Sequence, residues 1–130
     1  ISDIQIQSAG GWNVTHSVYI NASQQVKVLG CTITDKYYGL TVNGSEYCQI
    51  ANNTFYSRSG RVRFSDITLA NAVRCGLLGN THDGEANTGV TVDSTCTSIP
   101  ITACMFNAGT ITTRISDPGT KSVQSNNVGT

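Results

Sequence analysis

The side chains with most chemistry to offer are three carboxylates and three phenols: Asp35, Asp83 and Glu85, and Tyr37, Tyr38 and Tyr56. Two carboxyl groups held roughly 6.5 to 9.5 Å apart leave room for a water between an acid and a base, the arrangement that cleaves glycosidic bonds with inversion. A phenol ring offers a flat, partly apolar face on which a sugar can stack. These residues are scattered along the chain, so only a fold that returns to the same place at regular intervals can gather them.

Such a fold is written in the apolar pattern. Between Gly39 and Phe55, Leu40 and Val42 stand two apart, Ile50 follows eight residues later, and Asn53 and Phe55 lie three and five beyond it. Side chains two apart share one face of a strand. The same order recurs in Val18, Ile20, Val28, Cys31, Ile33; in Ile67, Leu69, Leu77, Asn80, His82; in Val90, Val92, Ile101, Cys104, Phe106; and in Thr113, Ile115, Val123, Asn126, Val128. Counted between Val28, Ile50, Leu77, Ile101 and Val123, the repeat lengths are 22, 27, 24 and 22 residues. A drifting repeat of this size, with two-residue alternation and Asn/Gly/Ser turns, reads as a coil of a parallel β-helix and not as a helical repeat. The predicted fold is all-β: a solenoid of about five coils, with residues 1–130 as one β-helix segment.

Stacking the copies creates columns. Three residues after Val28, Ile50, Leu77, Ile101 and Val123 stand Cys31, Asn53, Asn80, Cys104 and Asn126, a ladder in which stacked amides can hydrogen-bond along the axis. One residue earlier, Gly30, Asn52, Gly79, Ala103 and Ser125 suit a tight turn with positive φ. His82 falls in the column of Ile33, Phe55, Phe106 and Val128 and is expected to be a core-edge histidine with a hydrogen-bonded ring.

The next columns carry the candidate site. Thr34, Tyr56 and Asp83 share one, and Asp35, Ser57 and Gly84 the next, so Tyr56 lies between two carboxylates. Asp35 and Asp83 are two coils apart, roughly 10 Å at about 4.8 Å per coil. Tyr37, Tyr38 or Tyr56 would bind substrate by stacking, and Glu85 is a reserve acid. The same residues also suit ordinary solvated turns, which attract Asp. Trp12, in a Gly-containing loop, either covers the core edge or stacks on a sugar.

The five cysteines scatter over the columns. Only Cys48 and Cys75 fall on adjacent coils, where in-register Cβ atoms lie about 4.8 Å apart, beyond the usual disulfide range. Five reduced core thiols are expected, in a protein folded in a reducing compartment. With no CxxC and no ligand partners for His16 and His82, neither a metal site nor a cofactor is expected. Charged residues make up 12% with 8 basic against 8 acidic, which gives no basic face for nucleic acid. No apolar run suffices for membrane insertion, and any export signal would lie outside this sequence. Both ends stop in mid-coil, so a piece of a longer chain, or of an intertwined assembly, is expected.

The ending of the repeat, as in Ile50-Ala51-Asn52-Asn53-Thr54-Phe55, resembles the right-handed parallel β-helix proteins of the pectate-lyase-like superfamily, over about residues 18 to 128. Within that set the chain looks most like a bacteriophage tailspike, since thiols without a disulfide framework suit assembly in the bacterial cytoplasm and a polar, low-charge surface suits a virion. The resemblance implies a homotrimer in the virion tail that binds a bacterial surface polysaccharide as host receptor and depolymerises it as a glycosidase or lyase. No motif matches the calcium-binding Asp cluster of pectate lyases or the signatures of polygalacturonases, so no catalytic residue is carried over. The alternatives are a structural shaft or trimerisation segment without ligand, and a secreted polysaccharide lyase or adhesin.

Overall fold

A computed structural model describes residues 5–6, 16–34, 37–57, 62–107 and 111–129. Each coil contributes one longer strand and two short ones, and like strands stack into three parallel sheets. The long-strand sheet contains β2 (His16–Asn21), β5 (Tyr38–Asn43), β8 (Arg63–Ala70), β11 (Ala86–Val92) and β14 (Ile111–Ser116). The middle sheet contains β3 (Lys27–Leu29), β6 (Gln49–Ala51), β9 (Gly76–Leu78), β12 (Ile99–Thr102) and β15 (Ser122–Ser125). The third sheet runs β1 (Gln5–Ile6), β4 (Thr32–Thr34), β7 (Thr54–Tyr56), β10 (Thr81–Asp83), β13 (Met105–Phe106) and β16 (Val128–Gly129). This is the expected parallel β-helix. Its strands pair only with the coil before and the coil after, so long-range order comes from repetition.

Val28, Ile50, Leu77 and Ile101 stack in one fully buried column, as the periodicity predicts. The fifth coil departs from the expected register. Ile101 pairs with Gln124, not Val123, which instead pairs with Pro100 and is 70% exposed. Ile115 lies beside Val90 and not Val92, so the corner that follows it is shorter than its counterparts, and an interval of eight residues only imitates the repeat. Asp117 fixes that corner, its carboxylate accepting from the amides of Lys121 (2.8 Å) and Ser122 (2.7 Å) and from the Ser122 hydroxyl (2.6 Å). The shift carries through: Val128 pairs with Met105 and is exposed, and Gly129 takes the place beside Phe106.

The ladder is a device for satisfying buried backbone at a bend. Asn53 Oδ1 accepts from the Cys31 amide (2.8 Å), and its Nδ2 donates to the Val28 carbonyl (2.9 Å). Asn80 repeats this one coil on, accepting from the Asn53 amide (3.1 Å) and donating to the Ile50 carbonyl (2.9 Å). In the fifth coil the residue doing so is Asn127, not Asn126: it accepts from the Cys104 amide (2.9 Å) and donates to the Ile101 carbonyl (3.0 Å). Just before the ladder the chain turns through positive φ at Gly30, Asn52, Gly79 and Ala103, as expected, and at Asn126 where the count gave Ser125.

Facing the column of Ile33, Phe55, His82 and Phe106 on the third sheet is a column of the long-strand sheet, and the two trade volume. A Cβ on Gly39 would stand 2.8 Å from the Phe55 ring, and one on Gly89 would stand 2.7 Å from Phe106. Between these two Phe–Gly layers the third coil places a polar pair, His82 and Asp66, both buried. Their contact, Nδ1 to Oδ2, is 3.0 Å, and the imidazole is stacked between Phe55 (5.3 Å) and Phe106 (4.5 Å). The expected core histidine is thus deep in the core and not at its edge.

All five cysteines are buried and free. Burial pushes the Cys75 thiol up to about 11 and raises those of Cys96 and Cys104. Cys48 and Cys75 do lie side by side, the Cys48 amide 3.4 Å from the Cys75 sulfur. Thiol titration of the denatured, unreduced protein is expected to find five groups, most of them unreactive before unfolding; a count of three would mean that Cys48 and Cys75 are bridged.

Candidate functional site

The corner at which the third sheet hands the chain to the long-strand sheet holds most of the candidates. Thr34, Tyr56 and Asp83 are direct neighbours across β4, β7 and β10, in the register counted from the sequence. Tyr56 is 44% exposed. Asp83 accepts a hydrogen bond from Asn107 Nδ2 at 3.0 Å, so its other flank is already tied to the fourth coil. Ser57 and Gly84 are adjacent as the count required, and the Ser57 hydroxyl donates to the Glu85 carbonyl (2.9 Å). Asp35 lies outside the described residues, as does Trp12, so the expected pair of carboxylates is placed at one end only.

A second group forms where Tyr37 and Tyr38 enter β5. His16 and Tyr38 are register partners, and their rings stack with centroids 5.0 Å apart. Tyr19 lies 5.0 Å from His16, its ring tilted by 36°. The Phe64 amide donates to the Tyr37 carbonyl (2.9 Å), which draws the next coil in and stacks those two rings at 5.5 Å; Phe64 also meets Tyr38 edge-on at 5.4 Å. Side chains opposite each other on paired strands approach within about 5 Å, so the parallel register itself assembles this run of rings. Five rings from three coils therefore form one cluster, with Tyr19 53%, Tyr37 39% and Phe64 44% exposed. His16 Nδ1 lies 2.8 Å from the Thr41 hydroxyl, and burial pushes its pKa below the ordinary histidine value, which favours the neutral imidazole.

Sequence reasoning found Tyr37 and Tyr38 but missed His16, Tyr19 and Phe64. Only Tyr19 had a signal in the register: it stands in the column of Thr41 and Thr68, between the inward-facing Val18 and Ile20.

Polar side chains continue the surface at the next corner. Asn43 Nδ2 donates to Asn21 Oδ1 (3.0 Å) and lies 3.4 Å from the Tyr19 hydroxyl, and Asn71 Nδ2 reaches Asn43 Oδ1 at 3.4 Å. Amide groups thus run along the axis beside aromatic faces.

Three parallel sheets wound about one apolar core place the chain among the parallel β-helix proteins. Residues 1–129 match the family model described as periplasmic copper-binding protein, NosD, and the chain belongs to that family. Comparison with curated proteins and with solved structures gives no match. The family's periplasmic description agrees with the secreted alternative and lends nothing to a phage tail. It also removes the ground for reading a reducing compartment from free thiols, because buried cysteines held at strand spacing resist pairing wherever the protein resides.

Copper takes imidazole, thiolate and thioether ligands. The chain has two His, five Cys and one Met, all among the described residues, and no three of its described His, Cys, Asp or Glu side chains form a group able to hold a metal ion. His82 is engaged by Asp66 inside the core, and His16 sits in the aromatic cluster. Burial disfavours the thiolate at Cys75, Cys96 and Cys104. These residues do not fit a copper centre.

Proposed function

We propose that the chain is a glycan-binding β-helix acting outside the cytoplasm, with the His16–Tyr19–Tyr37–Tyr38–Phe64 cluster as its binding face. The observation that supports this reading is the exposed run of aromatic rings crossing three coils of an otherwise polar, weakly charged solenoid. An uncharged aromatic face receives the C–H face of a sugar ring, and neighbouring amides give and accept hydrogen bonds with its hydroxyls. The Asn21–Asn43–Asn71 row supplies such amides next to Tyr19. A shaft without ligand calls for uniform ladders, and this cluster interrupts them.

The proposed activity is binding, and Asp83, already held by Asn107, has no part in it. A screen of bacterial surface oligosaccharides is expected to find a neutral ligand whose affinity falls about five-fold or more in Tyr38→Ala and in Phe64→Ala, the loss of one ring contact being worth on the order of 1 kcal/mol or more. Asp83→Asn should leave affinity within about two-fold. Binding that survives both aromatic replacements unchanged would remove the proposal.

A further inference from the structure

The outer face of the middle sheet holds a feature independent of the aromatic cluster. Its residues belong to the second, third and fourth coils, with the strands β3 and β15 stacked beyond them on either side. Gly76 pairs with Gln49 in the coil before it, and Pro100 stands on its other side. With no side chain on Gly76, the row opens into a groove of about 260 Å³ walled by Gln49, Leu78 and Pro100. A Cβ on Gly76 would stand 3.6 Å from the Pro100 ring, an ordinary contact, so the notch has room for a side chain and equally for part of a ligand. Leu78 is 44% exposed, and the Gln49 side-chain amide has no partner among the described residues.

Two residues before Gln49 and Gly76, separated from them by the buried Cys48 and Cys75, stand Tyr47 and Arg74. This corner turns through positive φ in four coils, at Gln25 (58°), Tyr47 (55°), Arg74 (52°) and Ser98 (56°). Glycine and asparagine take that conformation most readily, as they do at Gly30, Asn52 and Gly79, and neither is used here. Tyr47 and Arg74 are both exposed, so core packing does not account for two large side chains at backbone positions that disfavour them. Arg74 Nη1 donates to the Tyr47 hydroxyl (2.7 Å), and its guanidinium carbon lies 5.6 Å from the centre of the ring. The phenol keeps its own proton to donate, and the guanidinium keeps its other N–H groups. Among the described residues no carboxylate pairs with Arg74, not even Glu46 beside Tyr47.

We propose that this groove binds a small ring-borne acid: the anionic group meets the Arg74 guanidinium and the Tyr47 hydroxyl, and the ring lies over Gly76 against Leu78 and Pro100. A planar fork of N–H donors with no carboxylate of its own chain to hold fits an oxyanion from outside. Convergent polar groups beside an apolar concave surface are the ordinary make-up of small-molecule sites.

The test is titration of the full chain with benzoate and with glucuronate, followed by NMR shifts. Acetate is the control that has the anion without the ring, and benzyl alcohol the one that has the ring without the anion. Saturable binding of at least one ring acid is expected, with a dissociation constant on the order of a millimolar as befits one exposed ion pair on a small ligand. Glucuronate binding identifies a sugar acid, and benzoate binding alone a flatter apolar acid. Arg74→Asn, whose new side chain accepts the positive φ, should weaken binding about ten-fold. So should Gly76→Val, which keeps both donors and fills the notch with a residue suited to a strand; Tyr38→Ala should leave binding unchanged. No saturable shift with either ring acid, acetate or benzyl alcohol binding as tightly, or affinity indifferent to Arg74→Asn or to Gly76→Val would overturn the proposal.

Discussion

Replacing Asp66 by glycine is expected to destabilise the protein by about 3 to 5 kcal/mol, and adding His82→Phe to recover most of that loss. The single change strips a fully buried imidazole of its Nδ1 partner at 3.0 Å, while its Nε2 is already without a partner among the described residues. His82→Phe alone leaves the Asp66 carboxylate facing an aromatic ring in the core, a penalty of similar size. The double variant rebuilds the Phe–Gly layer that the second and fourth coils already use, and it continues the ring stack from Phe55 to Phe106. Removing both members of a buried polar pair is often neutral, whereas removing one is not. The check is a double-mutant cycle from urea unfolding, with a coupling of about 2 kcal/mol or more expected between two side chains in contact. Additive losses in the double variant would show that the layers are not interchangeable.

Asn80→Ala comes next in size. The substitution strands the Asn53 amide and the Ile50 carbonyl, both now bonded by Asn80, and breaks the Asn53–Asn80 amide contact at 3.1 Å. A buried backbone group left unsatisfied costs about 1 to 3 kcal/mol, so a loss of roughly 3 kcal/mol is expected for the two together. Asn126→Gly is the control. It keeps the positive φ of 53° that the turn requires and touches no ladder bond, so its effect should stay below about 0.5 kcal/mol. Thermal or urea unfolding of both variants decides the matter. A larger loss at Asn126 than at Asn80 would mean that the fifth-coil register is the one counted from the apolar residues and not the shifted one.

Much of this architecture was legible because a solenoid repeats its instructions. Val28, Ile50, Leu77 and Ile101 carry the same periodicity into the same column, and the corner residues Gly30, Asn52 and Gly79 are types that accept the positive φ found there. The fifth coil was misread because Val123 and Val128 satisfy the count, whereas the hydrogen bonds of Asp117 set the corner length. Counting apolar residues is blind to a turn that a side chain closes. The deep burial of His82 was obscured for a related reason, since its partner Asp66 lies on a different sheet and shows no apolar signature.

The candidate site was legible in parts. Tyr56 beside Asp83 followed from register alone, as did the nearness of Ser57 to Gly84. The aromatic cluster did not follow, because it joins the end of one loop to the start of three strands, and single residues such as His16 and Phe64 carry no periodic signal. Their proximity is a product of stacking, which pairs residues 22 and 27 apart in the second and third coils.

The most direct test of the central claim, that the exposed aromatic cluster is the ligand face, is the location of a bound oligosaccharide by intermolecular NOEs in the full chain. Contacts are expected from sugar ring protons to the rings of Tyr38 and Phe64, with amide shifts at Asn21 and Asn43. Contacts confined to Tyr56 and Asp83, with the Tyr38 and Phe64 rings silent, would contradict it.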